Sequence, residues 1–534
     1  MACFHLLFFF ALAFTASWAL NAPLPSHFRP SSSSSLDVHK SLVKSLCTSA
    51  PYPETCFDTF KLSISIGINP DIISYLLQSL ETALSEIQKL TELFAKAGGS
   101  SGIVEKQKGT VQDCQELHRQ SLSSLKKSVD KINNAPDVKT YLSASLTNKV
   151  TCLEGLDSAT GPLKPTLVNS MTNTYKYVSN SLALLSNPNP PGAKGRRLLG
   201  FPKWLSRESR RILQSSGDEY DPSSILTVAQ DGTGNFTTIS DAIEYAPDNS
   251  PDRIIIFVKQ GLYDENVMIP SQKTNIVLLG DGNDTTVITG NRSVGDGWTT
   301  FRSATVAVSG EGFLARGLSI YNTAGPAKHQ AVALRVNADL VALYQCSMFG
   351  YQDTLYVHSF RQFYRECDVY GTIDFIFGNA AVVFQGCNLV ARQPLPGQSN
   401  AFTAQSRTDE YETTGMSIQN CSILAGDDLD TTTTKSYLGR PWRPYSRTVY
   451  IESFIDGLID PAGWLEWSDN GTGLDTLYYG EYGNSGPGAD TSQRVTWPGY
   501  HVMSYEDALQ FTVSEFITGD EWLGFTSFPY DEGF

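Results

Sequence analysis

The feature that most constrains this chain is a repeat in its second half. Leu318-Ser-Ile320, Cys346-Ser-Met348, Cys367-Asp-Val369, Cys387-Asn-Leu389 and Cys421-Ser-Ile423 share one pattern, and the steps from Cys346 to Cys367 to Cys387 are 21 and 20 residues. A period of that size belongs to a solenoid, in which each coil stacks its equivalent residue on the one before. The surrounding runs, such as RIIIFVKQG (253–261), TNIVLLGDG (274–282) and ATVAVSG (304–310), are short, rich in β-branched residues and punctuated by Gly and Asn. They read as strands. Strand length alone also suits a β-sandwich; the repeat favours a parallel β-helix with the cysteines as a ladder at one phase.

The same repeat carries the candidate chemistry. Four residues beyond two ladder cysteines comes Gly-x-x-Asp, as Gly350-Tyr-Gln-Asp353 and Gly371-Thr-Ile-Asp374. A separation of 21 is one coil, so the two carboxylates are expected on adjacent turns, a few Å apart. Two carboxyls that close do not both ionise readily: one keeps its proton and the other stays charged, an acid beside a nucleophile. On spacing alone, two solvated turn aspartates fit equally well. Gln352 precedes one aspartate, and Gln330 lies 22 residues earlier, again about one coil. Amides placed there can donate to an oxyanion. Tyr351, Tyr356, Phe375 and Phe377 surround the pair, either as packing or as faces for sugar rings.

The first half has a different grammar. Asn69-Pro70-Asp71 opens a stretch with apolar residues at Ile73, Leu76, Leu77, Leu80, Leu84, Ile87, Leu90 and Phe94, and Gly98-Gly99 stops it. Three more stretches of helical period follow, around residues 111–132, 138–153 and 167–185, which is the pattern of an antiparallel four-helix bundle. Ahead of them, the apolar run at 6–20 reads as a signal peptide over residues 1–22. Its first residues lack Lys and Arg, so an uncleaved anchor is the alternative. No later segment is long and apolar enough to span a bilayer. Removing Cys3 with the leader leaves eight cysteines, which export would permit to pair. Sequons at Asn235, Asn283, Asn291, Asn420 and Asn470 fit the secretory route.

Between the halves, residues 189–214 turn to Pro, Gly and Arg, with Arg196-Arg197 and Arg210-Arg211 each followed by an aliphatic residue and Leu. Exposed linkers are where proteases cut, so both are candidate processing sites. Charge divides there too. Residues 1–213 hold 23 Lys+Arg against 15 Asp+Glu, and residues 214–534 hold 17 against 40. Either these are unrelated surfaces, or a basic leader is drawn to an acidic body.

GLYDE (261–265), QAVAL (330–334), GYQDTLY (350–356), GTIDFIFG (371–378) and LGRPW (438–442), in that order, resemble the signature segments of plant pectin methylesterases. The likeness covers residues 226 to about 522 and implies a right-handed parallel β-helix with an exposed substrate cleft. Residues 41–186 resemble the pectin methylesterase inhibitor family, whose plan implies a short N-terminal disulfide hairpin (Cys47, Cys56) and a second bridge between bundle helices (Cys114, Cys152). The expected organisation is therefore signal peptide 1–22, inhibitor-like bundle 37–188, linker 189–214 and catalytic β-helix 215–534.

Residue by residue, the resemblance implies Asp374 as nucleophile, Asp353 as general acid and then base, Gln330 and Gln352 as oxyanion hole, and Arg440 as the group holding Asp374 ionised. Thr300, Tyr356, Phe375 and Trp442 would line the sugar-binding cleft with Gln330 and Arg440. Some relatives pair a cysteine near Ser319 with the equivalent of Cys346; that partner is absent here. Cys367 with Cys387, Cys387 with Cys421, or free buried thiols all stay open.

There is no GxSxG elbow, and His329, His358 and His501 sit in no triad motif, which disfavours serine hydrolysis. No metal-ligand cluster stands out, and the implied chemistry needs no cofactor. The implied setting is a secreted, monomeric cell-wall enzyme acting on methyl-esterified homogalacturonan, with no nucleic-acid partner. Its other partners would be its own bundle, separate inhibitor proteins and a subtilisin-like processing protease, and the bundle would restrain activity or export until cleavage. A pectin lyase or galacturonan hydrolase on the same fold is the rival enzyme, since fold alone does not set function. A catalytically inactive wall-binding or inhibitor protein is the rival of another class.

Overall fold

The computed structural model describes residues 35–66, 72–98, 102–186, 225–468 and 471–534. The expected signal peptide, the dibasic sites at Arg196, Arg197, Arg210 and Arg211, and the sequon at Asn470 lie outside the described residues.

The N-terminal half is helical: α1 (Ser35–Thr48), α2 (Pro53–Ile66), α3 (Ile72–Gly98), α4 (Thr110–Asp130), α5 (Ala135–Asp157) and α6 (Lys164–Ser186). On α3 the residues at helical spacing, Leu80, Ala83, Ile87, Leu90 and Phe94, are all buried, and they pack against the matching faces of α4 to α6. This is how a helix with one apolar stripe hides it. Local sequence sets the boundaries as well: Asn134 caps α5 by accepting from the Asp137 N–H, with Pro136 in the first turn. Disulfides join Cys47 to Cys56 across the α1–α2 turn (Cα–Cα 5.4 Å) and Cys114 on α4 to Cys152 on α5 (4.7 Å).

The second half is a parallel β-helix of three sheets with 11, 7 and 8 strands. Ser319, Ser347, Asp368, Asn388 and Ser422, each following one member of the repeat, stand in register on successive strands of the 8-stranded sheet. The repeat therefore marks the coils. On the 7-stranded sheet, Leu334, Leu355 and Ile376 stack inward and are fully buried, while Arg335, Tyr356 and Phe377 form the next column, in register on the outer face. Alternation along each strand thus builds the core and the cleft floor from the same residues.

The ladder cysteines correct one expectation. Cys346, Cys367, Cys387 and Cys421 are buried and unbonded, so Cys367, Cys387 and Cys421 are not disulfide partners. In-register parallel strands keep equivalent Cβ atoms about 4.8 Å apart with parallel Cα–Cβ bonds, whereas a disulfide draws its Cβ atoms to about 3.8 Å. The sulfurs accept backbone hydrogen bonds instead: Cys367 N–H donates to Cys387 Sγ (3.4 Å) and Cys387 N–H to Cys421 Sγ (3.3 Å).

The bundle lies across the outer face of the 7-stranded sheet, and its core runs on into Phe301, Ala307, Tyr356, Phe377 and Ala404. Ion pairs along the seam reverse the expected polarity. Carboxylates of the bundle meet arginines of the β-helix: Asp113 with Arg302 (2.6 Å), Glu116 with Arg302 (2.9 Å) and Arg335 (3.4 Å), Asp137 with Arg361 (2.8 Å), and Glu154 with Arg443. Among the described pairs across the seam, only Lys127 with Glu311 has a basic leader facing an acidic body. The reason is where the charge resides. Residues 41–184 hold 14 Lys+Arg and 13 Asp+Glu, and the excess sits in residues 187–213, with seven basic residues and one acid, Glu208. Net charge over a whole leader says nothing of the face that docks.

Candidate active site

Asp353 and Asp374 occupy the same place on consecutive coils, in the turn between a strand of the 8-stranded sheet and one of the 7-stranded sheet. Both take left-handed backbone conformations, φ 65° and 52°. Such angles are costly for a residue with a Cβ and recur at functional sites. The glycine of each Gly-x-x-Asp is there for space. A Cβ on Gly371 would collide with Phe375, and one on Gly350 would come within 2.7 Å of Thr354 Oγ1. The turns are locked coil to coil by Asp353 N–H donating to Ile373 O (3.1 Å) and Thr372 N–H donating to Tyr351 O (3.0 Å).

Neither carboxyl is a solvated turn residue: Asp353 is 7% exposed and Asp374 5%. Arg440, just beyond a strand two coils further on, donates Nε to Asp374 Oδ1 (2.8 Å) and Nη2 to Asp374 Oδ2 (2.7 Å). Burial raises the Asp374 carboxyl, but the hydrogen bonds and charge of Arg440 oppose the rise. Asp353 has no such partner. Burial first, and the charge of Asp374 second, push it well above the usual carboxylate range, against a weaker pull from Arg440. The environments thus part the pair into a protonated Asp353 and an ionised Asp374.

Gln330 and Gln352 sit on adjacent coils beside the pair, tied by Ala331 N–H donating to Gln352 O (3.2 Å). Both are partly exposed, and both line a cavity of about 310 Å³ together with Asp353, Asp374 and Arg440. Thr300, Tyr356 and Trp442 line it too. Phe375 does not. It is fully buried and packs on Phe402 inside the coil (centroids 4.9 Å), so it is core and not cleft wall. Two residues on, Phe377 takes the outward position in register with Tyr356 and stacks on it at 4.1 Å.

Two further cavity residues had no repeat or motif to reveal them. Phe301 lies beside Thr300 in an irregular turn, and Trp467 comes from a distant loop to sit under the Arg440 guanidinium (4.5 Å) and against Trp442 (6.2 Å). The rest of the wall belongs to the bundle: Gln107, Thr110 and Asp113 from one side, Thr151, Glu154 and Gly155 from the other. The cleft expected to be open is roofed by helices of its own chain. Among the described residues, no group of three His, Cys, Asp or Glu side chains is placed to hold a metal ion, and no helix is long and apolar enough to cross a membrane.

Comparison with known proteins accords with both halves. The Pectinesterase family model matches residues 225–520, and the Plant invertase/pectin methylesterase inhibitor model matches residues 41–184. "Probable pectinesterase/pectinesterase inhibitor 12" of Arabidopsis thaliana is 61% identical over 529 residues, covering 95% of this chain and 96% of that protein. Pectinesterase 2 of Citrus sinensis is 46% identical over 506 residues, covering 92% and 94%. Among solved structures, pectin methylesterase from carrot superposes with a TM-score of 0.58 at 51% identity, covering 60% of this chain and all of the other. The family match over more than half the chain, the relatives that align along nearly its whole length and the β-helix already described agree: this chain belongs to the pectinesterase family, with an inhibitor-family domain in front.

Proposed function

We propose that the chain is the precursor of a secreted pectin methylesterase, which hydrolyses C6 methyl esters of galacturonate units in cell-wall homogalacturonan to carboxylate and methanol. The observation that carries this reading is the buried Asp353–Asp374 pair, parted in protonation and open to one cavity with two glutamine amides. Asp374, ionised and aligned by Arg440, attacks the ester carbonyl carbon. The carbonyl electron pair moves onto oxygen, and Gln330 and Gln352 donate to that oxyanion. As the tetrahedral centre collapses, the C–O bond to methoxide breaks and Asp353 supplies its proton, so methanol leaves and Asp374 is held as an anhydride. Asp353, now a carboxylate, takes a proton from water as the water attacks the anhydride carbonyl. Cleavage frees the galacturonate and restores both aspartates. Thr300, Tyr356, Phe377, Trp442 and Trp467 form the sugar-binding walls.

The bundle roofs this cleft, so the uncut chain is latent. A subtilisin-like protease cutting after Arg197 or Arg211 releases the β-helix as a monomer in the wall, and separate inhibitor proteins of the bundle's family then compete for the face it vacates. Because the bundle is tethered, its effective concentration at the cleft is high, and the linker must be cut before dilution can free the site. The test is methanol release from methylated pectin by the full chain, before and after cutting at a protease site placed in the linker, with Asp374→Asn as control. Release only after cutting, and none from the variant, is expected. Unsaturated, ultraviolet-absorbing products without methanol would instead identify a lyase.

A further inference from the structure

We infer that Trp464 is a positioning residue for the reaction: it pins the segment that closes the open edge of the strand delivering Arg440, and so aims the fork that holds Asp374. This rests on the function proposed above. Arg440 follows the strand Ser436–Gly439, the last of the 7-stranded sheet. One side of that strand pairs with Asn400–Gln405, as Asn400 with Ser436 and Thr403 with Gly439. Among the described residues the other side faces no strand. It is closed instead by the irregular segment 459–465: Asp460 N–H donates to Ser436 O (2.9 Å), Leu438 N–H to Gly463 O (2.8 Å) and Leu465 N–H to Gly439 O (3.0 Å). These bonds satisfy groups that an edge strand otherwise leaves open. They also fix the root of Arg440. The Gly439–Arg440 peptide gives its N–H to Thr403 O (3.0 Å) on one side and accepts the Leu465 N–H at its oxygen on the other. A peptide is planar, so two bonds from opposite sides set its plane and restrict the direction in which the Arg440 side chain leaves. Two residues beyond Leu465, Trp467 lies 4.5 Å from the guanidinium at the far end of that side chain.

Trp464 anchors the segment from within. It is 1% exposed, stacked on Tyr479 (centroids 4.1 Å) and edge-on to Tyr450 (5.8 Å), whose hydroxyl donates to Leu438 O (2.8 Å). Its Nε1 donates to Glu481 Oε1 (3.3 Å). Glu481, itself buried, also accepts from Arg494 Nε (2.8 Å) and Nη2 (3.1 Å) and from the Tyr500 hydroxyl (3.2 Å). Arg494 Nη1 reaches back to Pro461 O (3.1 Å). The ion pair therefore grips the segment twice, through Trp464 and through Pro461. A buried ion pair is costly to desolvate and contributes little net stability; what this one supplies is a fixed geometry. Phenylalanine at 464 would keep a ring on Tyr479 but could not donate to Glu481. Trp464, Glu481 and Arg494 all lie outside the lining of the cavity that holds Asp353 and Asp374, so they act through Arg440.

The test uses the full chain, cut at a protease site placed in the linker and freed of its bundle, with methanol release from methylated pectin followed through pH. Trp464→Phe is expected to lower kcat by about 10-fold, short of the ~10²-fold that a misplacement of about 1 Å can cost, with KM nearly unchanged. Its acid limb should move to higher pH, because burial raises the Asp374 carboxyl and the Arg440 fork holds it down. The ionisable groups that sense Asp374 are Asp353, Arg440 and the Tyr479 phenol, and the variant replaces none of them. Tyr500→Phe removes another donor from the same Glu481 oxygen without touching segment 459–465, so it should keep the wild-type profile. A residue that only stabilised the last coil would lower the folded fraction and the melting temperature but leave the limb in place. If Trp464→Phe does not fold, Arg494→Lys decides: lysine keeps a charge for Glu481 but cannot reach Glu481 and Pro461 together, and it should move the limb the same way. A wild-type limb in the folded variant, or an equal shift in Tyr500→Phe, would overturn the positioning role. No methanol from wild type would sink the esterase reading instead.

Discussion

Arg440 grips Asp374 with two parallel hydrogen bonds, Nε to Oδ1 at 2.8 Å and Nη2 to Oδ2 at 2.7 Å, while the face of the same guanidinium rests on Trp467. The fork fixes the carboxylate in direction as well as in charge. Lysine supplies the charge without the fork. Arg440→Lys is therefore expected to lower kcat by about 10- to 100-fold. Because burial raises Asp374 and Arg440 holds it down, the acid limb of the pH profile should also move to higher pH in this variant. An unmoved limb would deny Arg440 its role.

Asp353 is held protonated by burial and, after that, by the charge of Asp374. Asp374→Asn removes the second cause and keeps the first. The Asp353 carboxyl should then titrate at lower pH than in wild type but still above an ordinary aspartate. Carboxyl carbon chemical shifts followed through pH would read this directly. An Asp353 that titrates at the same pH in both proteins would mean that the two carboxyls do not sense one another.

Gln330 and Gln352 reach one cavity from adjacent coils. As oxyanion donors they act only once charge develops. Alanine at either position should cost about 10²-fold in kcat with little change in KM. A loss confined to KM would make them groups that bind sugar.

Much of this was legible in the sequence because a solenoid converts spacing into neighbourhood. The 21-residue step from Asp353 to Asp374 told that they share a site, and register pairs such as Ser347 with Asp368 bear out the coil length. What the period could not convey was the direction of each side chain in an irregular turn. Phe375 and Phe377 look alike in GTIDFIFG, yet one faces the core and the other the cleft. Trp467 belongs to no repeat. The seam between bundle and β-helix was also hidden, because whole-segment charge pointed to a basic leader while Asp113, Glu116, Asp137 and Glu154 make the contacts.

Four ladder thiols, Cys346, Cys367, Cys387 and Cys421, are buried and unbonded. A thiol reagent should find none of them in the folded β-helix and all four after denaturation without reductant. Two reactive thiols under those conditions would mean that one ladder pair is bridged after all.

Glu116 joins two arginines of the β-helix across the seam. Its oxygens serve Arg302, Arg335 and the Ser309 hydroxyl, and Arg335 is 1% exposed. Glu116→Gln leaves the buried Arg335 without its charge partner and Arg302 with Asp113 alone, and breaking a comparable buried pair costs about 3–5 kcal/mol. The uncut variant should therefore show esterase activity that the uncut wild type lacks. Docking should also depend on pH. Burial pushes the Asp113 carboxyl up to about 6 against the pull of Arg302. In the undocked bundle it returns to the ordinary value near 4, so the docked state binds a proton more readily. Its contribution is complete at low pH and is lost as pH rises through about 6. Glu116 runs the other way: burial raises it, but Arg335 and Arg302 outweigh burial and hold it below the ordinary range, so its contribution fails only in stronger acid. A chain cut in the linker but still carrying its bundle should accordingly be latent near pH 5 and active near pH 7, by mass action on the weakened complex. Asp113→Asn should flatten that difference. Because these pairs are buried, raising salt toward about 1 M should release little activity. Equal latency at both pH values in wild type, with Glu116→Gln as silent as its parent, would show that other contacts hold the roof in place.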